Sequence, residues 1–357
     1  MRAVALTQIG STDFATELKD FTGCEELDTE IQEEEVKIKF LAGSLNHSDL
    51  WVALGAIRHN FQFPHVVGAD CCAKVIESKS GKFKVDDRVL LYPGVNLESD
   101  EWQKNNHEKL DFCIRGENAQ GVFREKWIVH ESELERVPDY LTNEEAGALP
   151  IAWLTAWQMA TVKGCRDIGE SPHAIEPVLV HGIGSGVSQA LVQLLWTLGV
   201  SKIYATSRNR EKLVPWESRG FRCFYGSPPT DLYENLKKEV PGGFGVIFDH
   251  IGQDYFEMNL KLLRNGGRIV TCGATSGGDI NKKRLLHHIF ARQLSIIGGS
   301  MGSREHFKEL VIWLGACAHT DQFLRPGISN VIPWSEAKRA YRIMESGGQN
   351  GKIVLVP

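Results

Sequence analysis

The stretch EPVLVHGIGSGVSQALVQLLWTL constrains the fold more than any other part of the chain. Val178 to Val180 form a short apolar run with Pro177 before it and Gly182 just beyond, which reads as a strand. Val187, Ala190, Leu191, Leu194, Leu195 and Leu198 then recur as one face of a helix. A strand that runs into a glycine turn and leaves as a helix opens a βαβ unit. Further β-rich apolar runs follow in SKIYAT, GVIFDHIG, GGRIVTCGA and RQLSIIGGS, with helical segments such as Arg304 to Leu314 between or after them. Alternation of this kind predicts a parallel sheet in an α/β domain.

The turn itself carries Gly182, Gly184 and Gly186. Glycines let a backbone approach a pyrophosphate, and the helix start supplies N–H groups and the positive end of a dipole. Gly182, Gly184, Ser185, Gly186 and Val187 are therefore candidate cofactor residues, the alternative being a glycine turn without a ligand. No strict GxGxxG is present, because Ser188 stands where a third glycine would complete GSGVG. A serine at this close helix–strand contact is tolerable, and its hydroxyl can still face an anion. An NAD site usually carries an acidic residue about 20 positions past the glycines to bind the ribose. Here the second strand ends in SRNREKL, with no Asp or Glu before Glu211. Ser207, Arg208 and Lys212 suit a 2′-phosphate instead, so the expected cofactor is NADP(H). The plainer reading of Arg208 is a surface arginine.

The first 150 residues follow another rule. In EVKIKFLAGSL, Val36, Ile38 and Phe40 alternate with Lys37 and Lys39, as in a half-buried strand. DDRVLLYPG and REKWIVH read as further strands, and the frequent Gly and Pro suggest an irregular barrel. The acidic stretch from Glu25 to Glu35 reads as a solvated connection, and Val95 to Phe112 as a long polar excursion without periodicity. The pattern breaks near Pro150, and the closing GKIVLVP is a strand that can return to the first domain. The expected domains are 1–150 with 320–357, and 151–319.

With 40 Lys and Arg against 45 Asp and Glu, the chain has no basic footprint for nucleic acid. No apolar run is long enough for a bilayer, and MRAVALTQIG lacks the apolar core of a signal peptide, so a cytoplasmic protein with no membrane partner is expected. Eight cysteines without a CxxC pair are not a disulfide framework.

LNHSDLW, FPHVVGAD, VDDRVLLYPG, EEAGALPIAWLTAW, VLVHGIGSGV, FDHIG, GGRIVTCGAT, RQLSIIGGSMG and GKIVLVP occur in that order. On these stretches the chain resembles the medium-chain dehydrogenase/reductase superfamily, above all its quinone oxidoreductase branch and the zinc-type alcohol dehydrogenase-like relatives. The resemblance implies a GroES-like irregular β-barrel domain with an inserted Rossmann domain, a doubly wound parallel sheet. It also implies a homodimer joined through the Rossmann edge strand, here RQLSIIGGS.

Zinc members of the family place a Cys where this chain has Asn46, and a His–Glu pair where it has Ala69 and Asp70. Their third ligand falls near Ile151 or Ala152. The four cysteines of their structural zinc lobe have no counterpart between Leu97 and Phe112, and Cys113 stands alone. The resemblance therefore implies that both zinc sites are gone. A rearranged site from His47, Asp49, Asp70 and Cys71 is the alternative, although Cys71 and Cys72 as strand neighbours point to opposite faces.

An enzyme without a metal Lewis acid favours a substrate that spreads its own developing charge. The activity implied by the resemblance, NADPH-dependent reduction of quinones and α,β-unsaturated carbonyls, agrees with this. By carry-over, Asn46 faces nicotinamide and substrate, and Thr155 lies near the nicotinamide. Gly273, Ala274 and Thr275, with Gly299, Ser300 and Met301, belong to loops that flank its ribose and ring. His250 and Ile251 follow a strand, where such sheets bind ligands. Candidate donors to an oxyanion are Asn46, His47, Ser48 and Tyr92, with water as a proton source. Asp49 reads as a loop-fixing acceptor. Two other readings stay open: an alcohol dehydrogenase with an atypical metal site, and an NADPH-binding protein with little catalysis.

Overall fold

The computed structural model describes residues 1–19, 30–57, 62–95, 113–164, 175–226, 231–280, 283–318 and 324–357. Residues 25–29 of the acidic stretch and 96–112 of the polar excursion lie outside the described residues, as do Cys24 and Cys165. The chain divides into two compact units, Met1–Leu154 with Ser303–Pro357, and Thr155–Gly302.

The first unit is built on the ten-residue strand Glu35–Ser44. Its alternation buries Val36, Ile38 and Phe40 while Lys39 faces out. Cys72–Ser78 and Lys126–His130 pair antiparallel with it, and the last strand of the chain, Lys352–Val356, joins its end. The GKIVLVP segment does return to the first domain, with Val354 opposite Ser44 and Leu355 opposite Gly43. Phe40 anchors the core, 5.8 Å from the ring of Phe123 and 5.1 Å from that of Trp334. Gly43 is required by a close approach: a Cβ there would stand 2.0 Å from the carbonyl oxygen of Asp70.

The second boundary falls at Ser303, earlier than the pattern suggests at 319. The helix Arg304–Cys317 packs with the first unit because Phe307 stacks on Tyr92, centroids 5.8 Å apart, and Arg304 donates to the Ser132 hydroxyl at 3.1 Å.

The second unit holds six strands: β1 Val178–Val180, β2 Ile203–Ser207, β3 Arg222–Tyr225, β4 Phe244–Asp249, β5 Leu263–Thr271 and β6 Ser295–Gly298. All pair parallel, in the order β3-β2-β1-β4-β5-β6. This is the strand order of a doubly wound dinucleotide-binding sheet. Five of the strands announce themselves by apolar runs; β3, four residues with no buried member, does not. Leu179, Ile247 and Ile269 pack one sheet face against Leu232, Leu236, Tyr255 and Met258. The strand order reverses between the neighbours β1 and β4. Ligands of such sheets bind past the carboxyl ends of the strands there, where Gly182 and His250 follow.

Candidate active site

In the second unit the phosphate turn is held from below by side chains. Ser185 caps the helix α1, Gly186–Thr197, its Oγ accepting from the Ser188 N–H at 3.2 Å. Gly182 has φ +66, and a Cβ on it would meet His250 Nε2 at 2.8 Å. Gly184 lies beside the stem of Lys212, which a Cβ would touch at 2.6 Å. Gly182 is needed for its positive φ, whereas a Cβ at Gly184 would require only that the Lys212 side chain move. Gly186 and Val187 are partly buried in the first turn of α1.

Ser188 turns its hydroxyl inward and not toward an anion. Its side chain is fully buried and its hydroxyl donates to the His181 carbonyl at 2.6 Å. With that proton committed, His250 Nε2 at 3.1 Å is the donor to Ser188 Oγ. Where a third glycine would leave room for close packing, this chain places a hydroxyl and uses it for a buried network.

The network continues through His181, which is also fully buried, with Nδ1 2.8 Å from Thr206 Oγ1 and Nε2 2.8 Å from Asn259 Oδ1. Burial pushes its pKa down to about 4. Asn259 donates to Asp249 Oδ2 at 3.3 Å, and Asp249 also accepts the N–H groups of Ile251 and Gly252 at 2.8 and 3.3 Å. Asp249 is raised to about 6 by burial in spite of those backbone donors. The polar residues thus stiffen the strand ends from within and leave the turn's upper face to the backbone.

At the end of β2, Ser207 is buried and its Oγ accepts the Asn209 N–H at 3.0 Å, while Arg208 is exposed. Lys212 is partly buried, and its pKa is lowered first by burial and then by the charge of Arg208 nearby. Two cations therefore stand where an NAD site has a carboxylate. Tyr225 pairs with Ser207 in register and is 53% exposed, an aromatic platform that the sequence did not single out because β3 was not legible.

Of the other predicted residues in this unit, Thr275 holds His250 through its N–H at 3.2 Å and its hydroxyl at 3.3 Å, both to the His250 carbonyl. Gly273 is partly buried and Ala274 exposed in the same loop. Gly299 N–H donates to Thr271 at 2.7 Å and Ser300 N–H to Gln158 Oε1 at 2.9 Å. Thr155, Met301 and Ile251 are buried, Ile251 within the sheet's core.

In the first unit, strand register assembles a second polar cluster. Extending the Ala42–Cys72 pairing by two residues sets Ser44 opposite Asp70, and extending Ser44–Val354 sets Asn46 opposite Lys352. Asp70, fully buried, accepts from Ser44 Oγ at 2.6 Å, Asn46 Nδ2 at 3.0 Å and Lys352 Nζ at 3.2 Å on Oδ2, and from the Ile151 N–H at 2.7 Å on Oδ1. Lys352 Nζ also donates to Asn46 Oδ1 at 2.6 Å. The ammonium at one end and the carboxylate at the other fix which way the Asn46 amide points. Asp49, beside it, accepts from Asn46 N–H at 2.8 Å and Gly68 N–H at 3.0 Å, the loop-fixing role expected for it, and burial raises its pKa to about 7.

His47 and Ser48 open the helix His47–Ala53 and are partly buried, His47 6.2 Å from the Trp51 ring. Tyr92 stands apart from both: it is fully buried against Phe307, and burial drives its phenol pKa well up. Lys352 was missed. The signal was a charged residue at the start of KIVLV, on the same strand face as the buried Val354.

Residues 32–139 match the model of the alcohol dehydrogenase GroES-like domain, and residues 186–316 that of the zinc-binding dehydrogenase. Each match falls on the fold element described above. This chain belongs to the medium-chain dehydrogenase/reductase superfamily. It is an oxidoreductase of that superfamily, whose members use a nicotinamide cofactor. A quinone oxidoreductase of Mus musculus is 26% identical over 336 residues, 91% of this chain and 90% of the relative. A zinc-type alcohol dehydrogenase-like protein of Schizosaccharomyces pombe is 28% identical over 331 residues, 90% of each. A solved NAD-dependent alcohol dehydrogenase is 28% identical with a TM-score of 0.85, covering all of both chains.

The superfamily offers zinc and a dinucleotide, and this member's residues can be tested against each. A dinucleotide fits: the turn offers a capped helix start after Gly182, whose φ of +66 suits glycine, and Gly184, with Lys212 alongside. Zinc does not fit. Asn46 and Asp70 hold each other and Lys352, every Asp70 oxygen is engaged, and Ile151 contributes only its backbone N–H. An ammonium within 3.2 Å of the carboxylate opposes a second cation. Among the described residues no group of three or more His, Cys, Asp or Glu could hold a metal. Among them, too, no helix is long and apolar enough to cross a membrane.

Proposed function

We infer that this protein is an NADPH-dependent reductase of quinones or α,β-unsaturated carbonyls that works without zinc. The observation that carries the reading is the engagement of Asp70 by Ser44, Asn46, Lys352 and the Ile151 N–H, which leaves the family's metal position without a donor set. Reduction of a simple carbonyl builds a localised alkoxide, whereas addition at the conjugated carbon of an enone or quinone spreads the charge over an enolate or hydroquinone anion. The second kind of acceptor suits a site whose residues do not suit a metal.

The dinucleotide, when bound, supplies hydride. The residues that would hold it are Gly182, Gly184, Ser185, Gly186 and Val187 at the pyrophosphate, and Ser207, Arg208, Lys212 and Tyr225 at the adenosine end. The loops at Gly273–Thr275 and Gly299–Met301, with His250 and Thr155, would border the nicotinamide. The exposed Arg208 guanidinium and the partly buried Lys212 ammonium, with no acidic residue between Ser207 and Glu211, favour a 2′-phosphate over a ribose diol. His47 and Ser48, at the partly buried start of their helix, would orient a substrate oxygen or pass a proton from water. The homodimer forms through β6, whose Ile296 is 40% exposed at the sheet edge.

Deuterium placed at C4 of NADPH tests this reading. Mass spectrometry of the product from an α,β-unsaturated ketone should find one deuterium on the β-carbon, and deuterium on the carbonyl carbon would instead mark an alcohol dehydrogenase.

A further inference from the structure

An ionisable ring packs against the phosphate turn of the second unit. His250 follows β4, and its Nε2 stands 2.8 Å from where a Cβ on Gly182 would lie and 3.1 Å from Ser188 Oγ in the first turn of α1. Ser188 Oγ is itself 3.2 Å from the hydroxyl of Ser185, the cap of that helix. Because Ser188 gives its own proton to the His181 carbonyl, His250 Nε2 keeps its N–H in order to donate. In the neutral ring this leaves Nδ1 as the basic nitrogen.

The protein offers this ring hydrogen-bond acceptors but no counter-charge. Burial holds its pKa below the ordinary histidine value, while backbone hydrogen bonds with Gly182, His250 and His181 pull the other way. Asp249, on the same strand, turns its carboxylate to the N–H groups of Ile251 and Gly252 and to Asn259. From β1 comes His181, kept neutral by burial and lowered further by a charge on His250. The loop after β5 packs on His250 and brings Cys272, a thiol that burial keeps protonated. Lys212, beside Gly184, adds a like charge. Among the described residues, then, no acidic side chain compensates an imidazolium here. A pyrophosphate would. Dinucleotides lie with that group on the first helix turn after the first strand, the turn His250 touches through Ser188. Negative charge brought to a half-buried imidazole favours its charged form.

We propose that His250 couples dinucleotide binding to pH: neutral in the free protein, it takes a proton from solvent onto Nδ1 as the pyrophosphate binds. Its Nε2–H stays on Ser188 Oγ, so the tie between β4 and α1 is kept in both states. The ring's positive charge then offsets one of the two phosphate charges. Affinity for the dinucleotide is therefore highest below the pKa of the bound form and declines as pH rises through it. The role concerns the cofactor that the superfamily uses, and it holds whichever acceptor is reduced.

The test measures the Kd of NADPH for full-length wild type and His250→Gln from pH 6 to pH 8, by quenching of tryptophan fluorescence. Glutamine can still donate to Ser188 but does not titrate. The 2′-phosphate and Lys212 titrate in both proteins, so the ratio of wild-type Kd to variant Kd isolates the ring. That ratio should rise about 10-fold across the range, and NADH, which shares the pyrophosphate, should give the same rise. Calorimetry in buffers of different ionisation enthalpy should find about half a proton more taken up per NADPH by wild type at pH 7. A ratio constant within about twofold, with equal proton counts, would make His250 a structural tie and overturn the proposal. Should the variant melt far below wild type, proton uptake by wild type with NADH decides alone, and none at pH 7 overturns it. A protein that binds neither dinucleotide would remove the cofactor reading and this role together; binding without the proton removes the role alone.

Discussion

The Nε2–H of His250 donates to the Oγ of Ser188 across 3.1 Å, and Ser188 in turn gives its own proton to the His181 carbonyl at 2.6 Å. Two strand ends, those of β1 and β4, are thereby tied together through the first turn of α1. The contact also explains how a serine replaces the glycine that dinucleotide-binding turns place there: its side chain turns inward to fill a polar hole.

Ser188→Ala should accordingly cost about 1–3 kcal/mol of folding stability, since it removes the hydroxyl that the half-buried His250 ring and the His181 carbonyl share. Chemical denaturation of the two proteins measures it. A cost near zero would mean that the hydroxyl contributes nothing the methyl does not.

The pH dependence of that network has a sign. Burial lowers His181 from 6.5 to about 4, so between those values the unfolded chain binds the extra proton. Its stabilising contribution is complete above 6.5 and is lost as pH falls toward 4, about 3 kcal/mol in all. Asp249, raised from 3.8 to about 6, acts oppositely, its contribution being present below 3.8 and lost as pH rises through 6. Comparing wild type with His181→Gln across this range cancels most of the Asp249 part. The variant's stability should fall less steeply as pH falls from 6.5, and equal slopes would contradict the assignment.

At the adenosine end, Arg208→Ala should raise the KM for NADPH about 10- to 100-fold, the range of a charge-assisted hydrogen bond, and change that for NADH little. Steady-state kinetics with both cofactors decides it. Equal effects on the two would make Arg208 a surface residue.

For the dimer, Ile296→Lys places a charge on the edge of β6 and should shift the protein to a monomer in analytical ultracentrifugation without changing its fold. An unchanged sedimentation coefficient would put the contact elsewhere or remove it.

Much of this was legible in the sequence, for physical reasons that differ by element. Val178–Val180 and the face of α1 have strong periodicity, so the turn between them could be placed to the residue. Arg222–Tyr225 has no buried side chain and so no apolar signature, and with it Tyr225 went unseen. The boundary at Ser303 goes with long-range contacts of the helix that follows, Phe307 with Tyr92 and Arg304 with Ser132, which no local pattern encodes. That Asn46, Ala69 and Ile151 stand where zinc relatives of the family carry ligands could be read from the sequence, but not the ammonium beside Asn46. Asn46 and Lys352 meet only through register, Ser44 against Val354, which follows from the folded sheet.

The most direct test of the account is the initial rate of NADPH oxidation by an α,β-unsaturated ketone after exhaustive treatment with a strong zinc chelator. A reductase that works without zinc keeps its rate unchanged after the chelator. A rate abolished by it and restored by zinc would contradict the account at its centre.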